Sequence, residues 1–193
     1  MAMEICGIDE AGRGPIAGPL VVAGCIFKIE NGELKIENYL EMLNDSKKLS
    51  AKKREELFEI IKETCEYHIV FIDNVTIDKK GLSFAIKSAL SEIKEILKAS
   101  KYLFDGNSNF GVSGIETIIK GDSKIKQISA ASILAKVSRD KYMLEIADKY
   151  PMYNFKKHKG YITQEHIEEI KKNGFSDIHR KSYRLKALEP TLF

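Results

Sequence analysis

Two adjacent carboxylates, Asp9 and Glu10, stand at the end of the first apolar run of the chain, and glycines follow them at once. Neighbouring side chains on a regular strand point to opposite faces. We therefore expect these two to share a site only if the strand ends there and the backbone turns. Gly12 and Gly14 permit such a turn, and Pro15 fixes its exit. Carboxylates beside bare backbone N–H groups and an arginine indicate metal-dependent chemistry on a phosphodiester.

Two further aspartates follow predicted strands in the second half of the chain. Asp105 ends a short strand over 102–105, and Asp122 comes shortly after a strand over 115–119. In α/β sheets, ligands gather at the carboxyl ends of strands, so these side chains can meet the first pair of acids at one edge. Four carboxylates there offer the oxygen ligands that Mg²⁺ and Mn²⁺ prefer. Aspartate beside glycine is also a common turn former, and the spacing alone leaves this alternative open.

The elements that must position these acids alternate along the chain. Apolar runs predict strands over 3–9, 19–27, 67–73, 102–105 and 115–119, and amphipathic patterns predict helices over 50–64, 81–98, 126–149 and after Thr163. Residues 28–45 are expected to form a polar excursion. This order predicts an α/β fold in which helices flank a mixed five-stranded sheet.

The bulk composition is that of a soluble globular protein. Of the 193 residues, 44% are hydrophobic and 31% are charged. No stretch reaches the ~18 apolar residues that a membrane helix needs, and the N-terminus lacks the basic region of a signal peptide. Three widely spaced cysteines favour buried thiols in a reducing compartment. We therefore expect a cytoplasmic protein without membrane contact.

Basic charge is concentrated in residues 151–193, which we expect to form a small helical extension of a single domain whose core covers about 1–150. The extension holds nine Lys and Arg against five Asp and Glu, whereas residues 1–150 hold 22 against 23. A solvated helical face gives such a pattern, but basic residues interleaved with aromatic ones predict a grip on a duplex backbone. The residues concerned are Lys156, Lys157, Lys159, Lys171, Lys172, Arg180, Lys181 and Arg184, with Tyr153, Phe155, Phe175 and Tyr183.

Six motifs, in this order across nearly the whole chain, resemble those of the type 2 ribonucleases H, the ribonuclease HII family. They are G-I-D-E-A-G-R-G-P-I-A-G-P-L-V-V-A at 7–23, D-S-K-K-L-S at 45–50, F-D-G-N at 104–107, K-G-D-S at 120–123, S-A-A-S-I-L-A-K-V-S-R-D at 129–140 and H-K-G-Y-I-T at 158–163. The first motif alone is highly specific. The resemblance implies a ribonuclease H-like fold.

The resemblance also implies an activity and a cofactor. The four acidic residues of the family fall on Asp9, Glu10, Asp105 and Asp122, and they would bind two divalent cations, Mn²⁺ or Mg²⁺, around the scissile phosphate. Similar enzymes cut the RNA strand of RNA–DNA hybrids. They also nick duplex DNA on the 5′ side of a single embedded ribonucleotide, leaving 3′-hydroxyl and 5′-phosphate ends.

Two further motifs are implied to contact the substrate. In similar enzymes the turn Gly12-Arg13-Gly14 contacts the 2′-hydroxyl that separates RNA from DNA, together with the adjacent phosphate. The tyrosine that corresponds to Tyr161 packs on the sugar beside the junction. From the residues alone, an ion pair of Arg13 with a neighbouring acid and a half-buried core position for Tyr161 both stay open.

Several other polar residues have weaker assignments. Lys47 and Lys48 precede a helix and could meet phosphate or lie in a solvated loop. Asp140 is the main rival for the fourth metal ligand, but its neighbours on the helix favour an ion pair. The three histidines of the extension show no metal-ligand spacing, so we expect them at the surface or near phosphate. They are His158, His166 and His179.

Two other functions compete with the one that the resemblance implies. A two-metal nuclease of the same fold that acts on DNA junctions has no 2′-hydroxyl to detect, so the glycine turn argues against it. A catalytically silent nucleic-acid-binding module is disfavoured because all four acids are present. We expect a monomer that binds nucleic acid. The segment 189–193 ends in an apolar pair that could reach the groove of a partner such as a replication clamp, but a frayed terminus is favoured.

Overall fold

The computed structural model describes residues 4–30, 32–43 and 49–184. Its strands are β1 (Ile5–Ala11), β2 (Leu20–Phe27), β3 (Ile29–Glu30), β4 (Glu33–Leu34), β5 (Cys65–Ile72), β6 (Lys101–Asp105) and β7 (Ile115–Ile118). Its helices are α1 (Leu40–Leu43), α2 (Ala51–Thr64), α3 (Asn74–Lys80), α4 (Leu82–Ile96), α5 (Lys126–Ala147), α6 (Phe155–His158) and α7 (Gln164–Asn173). None of the helices in the described ranges has the length and apolar character needed to cross a membrane.

A mixed five-stranded sheet in the order β5-β2-β1-β6-β7 forms the centre of the fold. Strand β1 pairs antiparallel with β2 and parallel with β6, and β6 pairs parallel with β7. All eight residues of β2 are buried, as is typical of an apolar strand covered on both faces. The sheet and its flanking helices confirm the predicted α/β architecture.

Helices cover the two faces of this sheet. Residues Leu20 and Val22 of β2 pack on the α4 side, while Val21 and Ala23 pack on the side of α2 and α5, because successive strand residues point to opposite faces. Helix α5 lies against β1 at Gly7, where an added Cβ would lie only 2.2 Å from a backbone carbon of the helix. The glycine therefore lets the first turn of α5 approach the strand that carries the acidic pair.

Two segments differ from the sequence prediction. Residues 28–45 are more than a polar excursion, because they contain the β3–β4 hairpin and the fully buried side chains of Ile36 and Leu43. Helix α3 was not predicted, and Gly81, with a φ of 85°, separates it from α4. Short buried or capped segments of this kind carry too few periodic residues to be recognised from sequence.

The C-terminal extension forms part of the core. Tyr153 and Phe155 are 4% and 0% exposed and pack with Ile16 and Met143, and Arg180 is 1% exposed. These three members of the predicted duplex grip cannot reach a nucleic acid, so that prediction is wrong for them. Two of the aromatic residues between the lysines, Tyr153 and Phe155, fill a core, whereas Phe175 is 44% exposed.

Candidate active site

An open cleft with a volume of about 300 Å³ lies at the end of β1. It brings together residues that are far apart in the sequence, from β1, the turn after it, α2, the turn before α5, α5 itself and the loop after α6. Its lining consists of Asp9, Glu10, Ala11, Gly12, Arg54, Asp122, Ser132, Ile133, Lys136 and Tyr161.

The acidic pair does not mark the end of its strand, contrary to the sequence prediction. Strand β1 continues to Ala11 on its antiparallel side. On its parallel side, the pairing with β6 stops at Ile8 and Phe104. Asp9 and Glu10 therefore lie on a strand whose one edge is open, and both line the cleft. The space for the site therefore arises because β1 loses its partner β6 here, and not because the backbone turns.

The other two acids are linked by the loop between β7 and α5. Asp105 is the last residue of β6, and its Oδ1 accepts a hydrogen bond from the backbone N–H of Gly121 at 3.0 Å. That glycine begins a short 3₁₀ turn whose next residue is Asp122, 4% exposed. The turn is entered through Lys120 in the left-handed region, with a φ of 56°. The end of β6 thus fixes the turn that presents the fourth acid.

The other three carboxylates are close enough to Asp9 to affect its ionisation. Burial raises the pKa of Asp9 well above its usual range, and the charges of Glu10, Asp105 and Asp122 raise it further. Burial also raises the pKa of Glu10 to about 7, against the opposing effect of Arg13. Such a cluster of like charges is unfavourable unless protons or cations neutralise it.

Arg13 provides part of that neutralisation. Its Nε lies 2.7 Å from Glu10 Oε1, so the ion pair that the sequence left open is present. The guanidinium also lies 5.8 Å and 5.6 Å from the ring centres of Phe104 and Phe110, a geometry typical of cation–π contacts.

The donor set of the cluster fits a hard divalent cation. All four side chains offer oxygen, and Glu10 Oε2 is buried without accepting a hydrogen bond from any described residue. As they stand, no three His, Cys, Asp or Glu side chains in the described ranges are gathered tightly enough to hold a metal ion. The carboxylates would have to move closer together, which a cation favours by cancelling their repulsion.

The two glycines of the turn after β1 differ in their surroundings. Gly12 has a φ of 101°, and an added Cβ would lie 2.5 Å from Arg139 Nε and 2.7 Å from the carbonyl oxygen of Pro19. Its lack of a side chain is therefore required by the fold. Gly14 has nothing within 4 Å of an added Cβ, and its φ is not positive. The fold itself gives no reason for glycine at this position.

Tyr161 lies at the surface of the cleft rather than in the core. Its side chain is 38% exposed, and its ring lies 5.3 Å from the guanidinium of Arg139 and 5.5 Å from Lys136 Nζ. Two cationic side chains thus lie close to the ring of a residue that lines the cleft.

Sequence reasoning missed three polar residues of the cleft, Arg54, Ser132 and Lys136. The signal for two of them was their four-residue spacing on α5, which places them on one helix face. Lys136 Nζ also holds Asp140 Oδ1 at 2.8 Å, and Asp140 is absent from the cleft lining, as the expected ion pair requires. Lys47 and Lys48, proposed from sequence to meet phosphate, lie outside the described residues.

Comparisons of the sequence with known proteins agree on one family. A family model described as Ribonuclease HII matches residues 6–186. A ribonuclease HII of Aliarcobacter butzleri (strain RM4018) is 58% identical over 187 residues, which cover 96% of this chain and 93% of the relative. A ribonuclease HII of Sulfurovum sp. (strain NBC37-1) is 50% identical over 190 residues, covering 98% and 96%.

Solved structures give the same result for the fold. The structure of the PCNA:RNase HII complex from Archaeoglobus fulgidus matches with a TM-score of 0.78 and 28% identity over 98% of each chain. The ribonuclease H2 from Pyrococcus horikoshii OT3 matches with a TM-score of 0.77 and 27% identity over 94% of each chain. The ribonuclease H-like fold expected from the motifs is thereby confirmed.

The burial of Asp9 and the repulsion from its neighbouring carboxylates predict that Asp9→Asn stabilises the protein in metal-free buffer at neutral pH. An unfolded aspartate ionises above about pH 4, whereas the folded one resists ionisation. The wild type therefore loses stability as pH rises above that value, and the variant lacks this loss. Urea unfolding at about pH 8 measures the difference. The control is Asp148→Asn, the same substitution at an exposed position, which should change the free energy of unfolding by less than about 0.5 kcal/mol. A less stable Asp9→Asn protein would contradict the prediction.

Proposed function

This chain belongs to the ribonuclease HII family, and we propose that it nicks duplex DNA on the 5′ side of a single embedded ribonucleotide, leaving 3′-hydroxyl and 5′-phosphate ends. As a ribonuclease HII it is an endonuclease that cleaves RNA in RNA–DNA hybrids. One observation carries the finer proposal: three of the four carboxylates, the first glycine of the turn after β1 and a half-exposed tyrosine line a single cleft.

The carboxylates would hold the cations that the reaction needs. They are Asp9, Glu10, Asp105 and Asp122. When bound, two Mn²⁺ or Mg²⁺ ions supply an activated water and stabilise the charge on the leaving oxygen. The protein holds these carboxylates in a buried to half-buried setting on β1, at the end of β6 and in the turn before α5, where water screens their charge less than in bulk solvent.

The positively charged side chains of the cleft would hold the phosphodiester. Arg54 and Lys136 both line it, and each offers N–H donors to phosphate oxygens. Tyr161 packs close to the guanidinium of Arg139 and is 38% exposed, so we propose that its exposed part contacts a sugar. No base edge is read in this arrangement, so we expect strong salt dependence and little sequence preference.

Detection of the ribose is assigned to the turn at Gly12-Arg13-Gly14. Because Gly14 needs no special φ and meets no atom within 4 Å of an added Cβ, its lack of a side chain favours close approach of a ligand. A nuclease for DNA junctions would use the same carboxylates but would gain nothing from this glycine. The observation therefore favours an enzyme that reads a 2′-hydroxyl.

The proposal also covers the setting of the enzyme. We propose a monomeric, cytoplasmic, single catalytic domain. A replication clamp is proposed as a protein partner, because a similar solved structure is that of a PCNA:RNase HII complex. Residues 189–193, which would make this contact, lie outside the described residues.

A gel assay on duplex DNA with one internal ribonucleotide tests the reaction. We expect one nick on its 5′ side with Mg²⁺ or Mn²⁺, none with EDTA, and none in an all-DNA duplex. Asp9→Asn and Asp105→Asn should each lower kcat by about 10²–10³-fold or more while the duplex is still bound. Cleavage of the continuous hybrid alone, or of the all-DNA duplex, would contradict the proposal.

Gly14→Ala should separate catalysis from stability. The added methyl group meets open space in the protein, so the free energy of unfolding should stay unchanged. If a sugar approaches this glycine, cleavage at a single ribonucleotide should fall on the order of 10²-fold. The matched Gly12→Ala variant should instead be destabilised by about 1–3 kcal/mol, because its methyl overlaps Arg139. Full activity of Gly14→Ala would rule out the close approach.

A further inference from the structure

Three histidines of the C-terminal extension are buried beside the cleft, although the sequence predicted them at the surface. His166 and His179 are 0% exposed and His158 is 6% exposed. The rings of His158 and His166 stack with centres 4.1 Å apart. The proposed reaction uses none of them, so their burial and their hydrogen bonds need another explanation.

The backbone around the cleft tyrosine shows what these rings hold. Every carbonyl of the turn over 158–161 accepts a hydrogen bond. The carbonyl oxygen of His158 accepts from the N–H of Tyr161 at 2.9 Å. Lys159 accepts from Arg139 Nη1 at 3.0 Å, and Gly160 accepts from the N–H of Ile16 at 2.9 Å. The fourth carbonyl is that of the tyrosine itself, and its partner is a histidine ring.

The direction of the hydrogen bonds follows from a backbone donor at one end. The N–H of Ser176 donates to His179 Nδ1 at 2.9 Å, so the proton of that neutral ring is on Nε2. This Nε2 lies 3.0 Å from His166 Nε2, which must accept. His166 then carries its proton on Nδ1, which donates to the carbonyl oxygen of Tyr161 at 2.9 Å. Each ring has one tautomer that satisfies all its partners.

Burial keeps the rings of His166 and His179 neutral. It lowers the pKa of His166 and of His179 to about 4, and the neighbouring His158 lowers both further. Glu169 Oε2 binds His158 Nε2 at 3.1 Å, and its charge opposes the shift on His166. Lys181 lowers the pKa of His179. A proton added to either ring would place two N–H groups face to face. This chain of hydrogen bonds from Ser176 to Tyr161 therefore forms only when both rings are neutral.

We propose that His179 and His166 are positioning residues, a tautomer-fixed relay that holds the backbone of Tyr161 so that its ring is presented to the sugar beside the ribonucleotide. The last part rests on the proposed function, because it needs the tyrosine to contact substrate. The hydrogen bonds of the relay begin at Ser176, beyond the end of α7, and restrain the backbone of Tyr161 in the loop after α6.

The tautomers can be read directly in the wild-type protein. Long-range ¹⁵N–¹H correlation spectra of the histidine rings should show the Nδ1–H form for His166 and the Nε2–H form for His179 near neutral pH. The opposite tautomer in either ring, or a protonated ring, would overturn the relay. This measurement requires no substitution and does not depend on activity.

Two substitutions at one position test the link to the tyrosine. In His166→Asn the amide nitrogen takes the place of Nδ1 and keeps the donor to the Tyr161 carbonyl, whereas in His166→Gln it takes the place of Nε2 and loses it. On the single-ribonucleotide duplex, His166→Gln should lower kcat/KM about threefold to tenfold, mainly through KM, with a smaller loss on a continuous hybrid. His166→Asn should recover most of the loss. His68→Gln, on the edge strand beside Glu92, should match the wild type.

The outcomes separate this inference from the proposed function. If kcat/KM falls equally in both His166 variants, or equally on both substrates, the histidines only fill the core and the positioning role is overturned. Tyr161→Ala tests the sugar contact itself. If that variant keeps its preference for the single ribonucleotide, the substrate role of the tyrosine fails, while the ring tautomers still decide whether the relay exists. If it loses the preference and His166→Gln does not, the relay does not position the tyrosine.

Discussion

The burial of like charges beside an open strand edge is the constraint on which this structure depends. Strand β1 keeps its antiparallel partner to Ala11 but loses its parallel partner after Ile8. The acidic pair lies in the gap, and the ends of β6 and of the loop after β7 bring the other two acids to it. The sheet thus holds a cluster of like charges that is unfavourable without a neutralising partner, and the proposed cation would recover the stability lost there.

Two buried arginine side chains hold the loops that surround the carboxylate cluster. Arg139 donates to the carbonyl oxygens of Pro19, Lys159 and Ala17 at 3.0 Å each, and Arg180 donates to those of Gly18 and Arg13. A guanidinium with five fixed donors suits this task, because it binds several carbonyls at once. The turn after β1 and the turn that carries the tyrosine are therefore tied to one another through the core. The histidine relay adds a neutral support to the second turn.

The sequence predicted the strands of the main sheet, the longer helices and the approach of the four acidic residues to one another, because apolar periodicity and motif order are local properties. It failed where a partner from elsewhere in the chain decides the outcome. The end of β1 was misplaced because the loss of β6 as a neighbour leaves no trace in residues 9–11. The histidines were misassigned because their hydrogen-bond partners lie on other segments. Lys136 was missed although it lies in the motif at 129–140, because the motif does not say which face of α5 packs toward the cleft.

Calorimetric titration of the metal-free protein with Mn²⁺ tests the central claim most directly, because binding must displace protons from carboxylates of raised pKa. Near pH 6, where Glu10 with a pKa of about 7 is largely protonated, titrations in buffers of different ionisation enthalpy should reveal net proton release. The release should decline by about pH 9, since less of the cluster is then protonated. Binding of Mn²⁺ with no proton release near pH 6, or no binding at all, would contradict the account of a buried, mutually repelling carboxylate site.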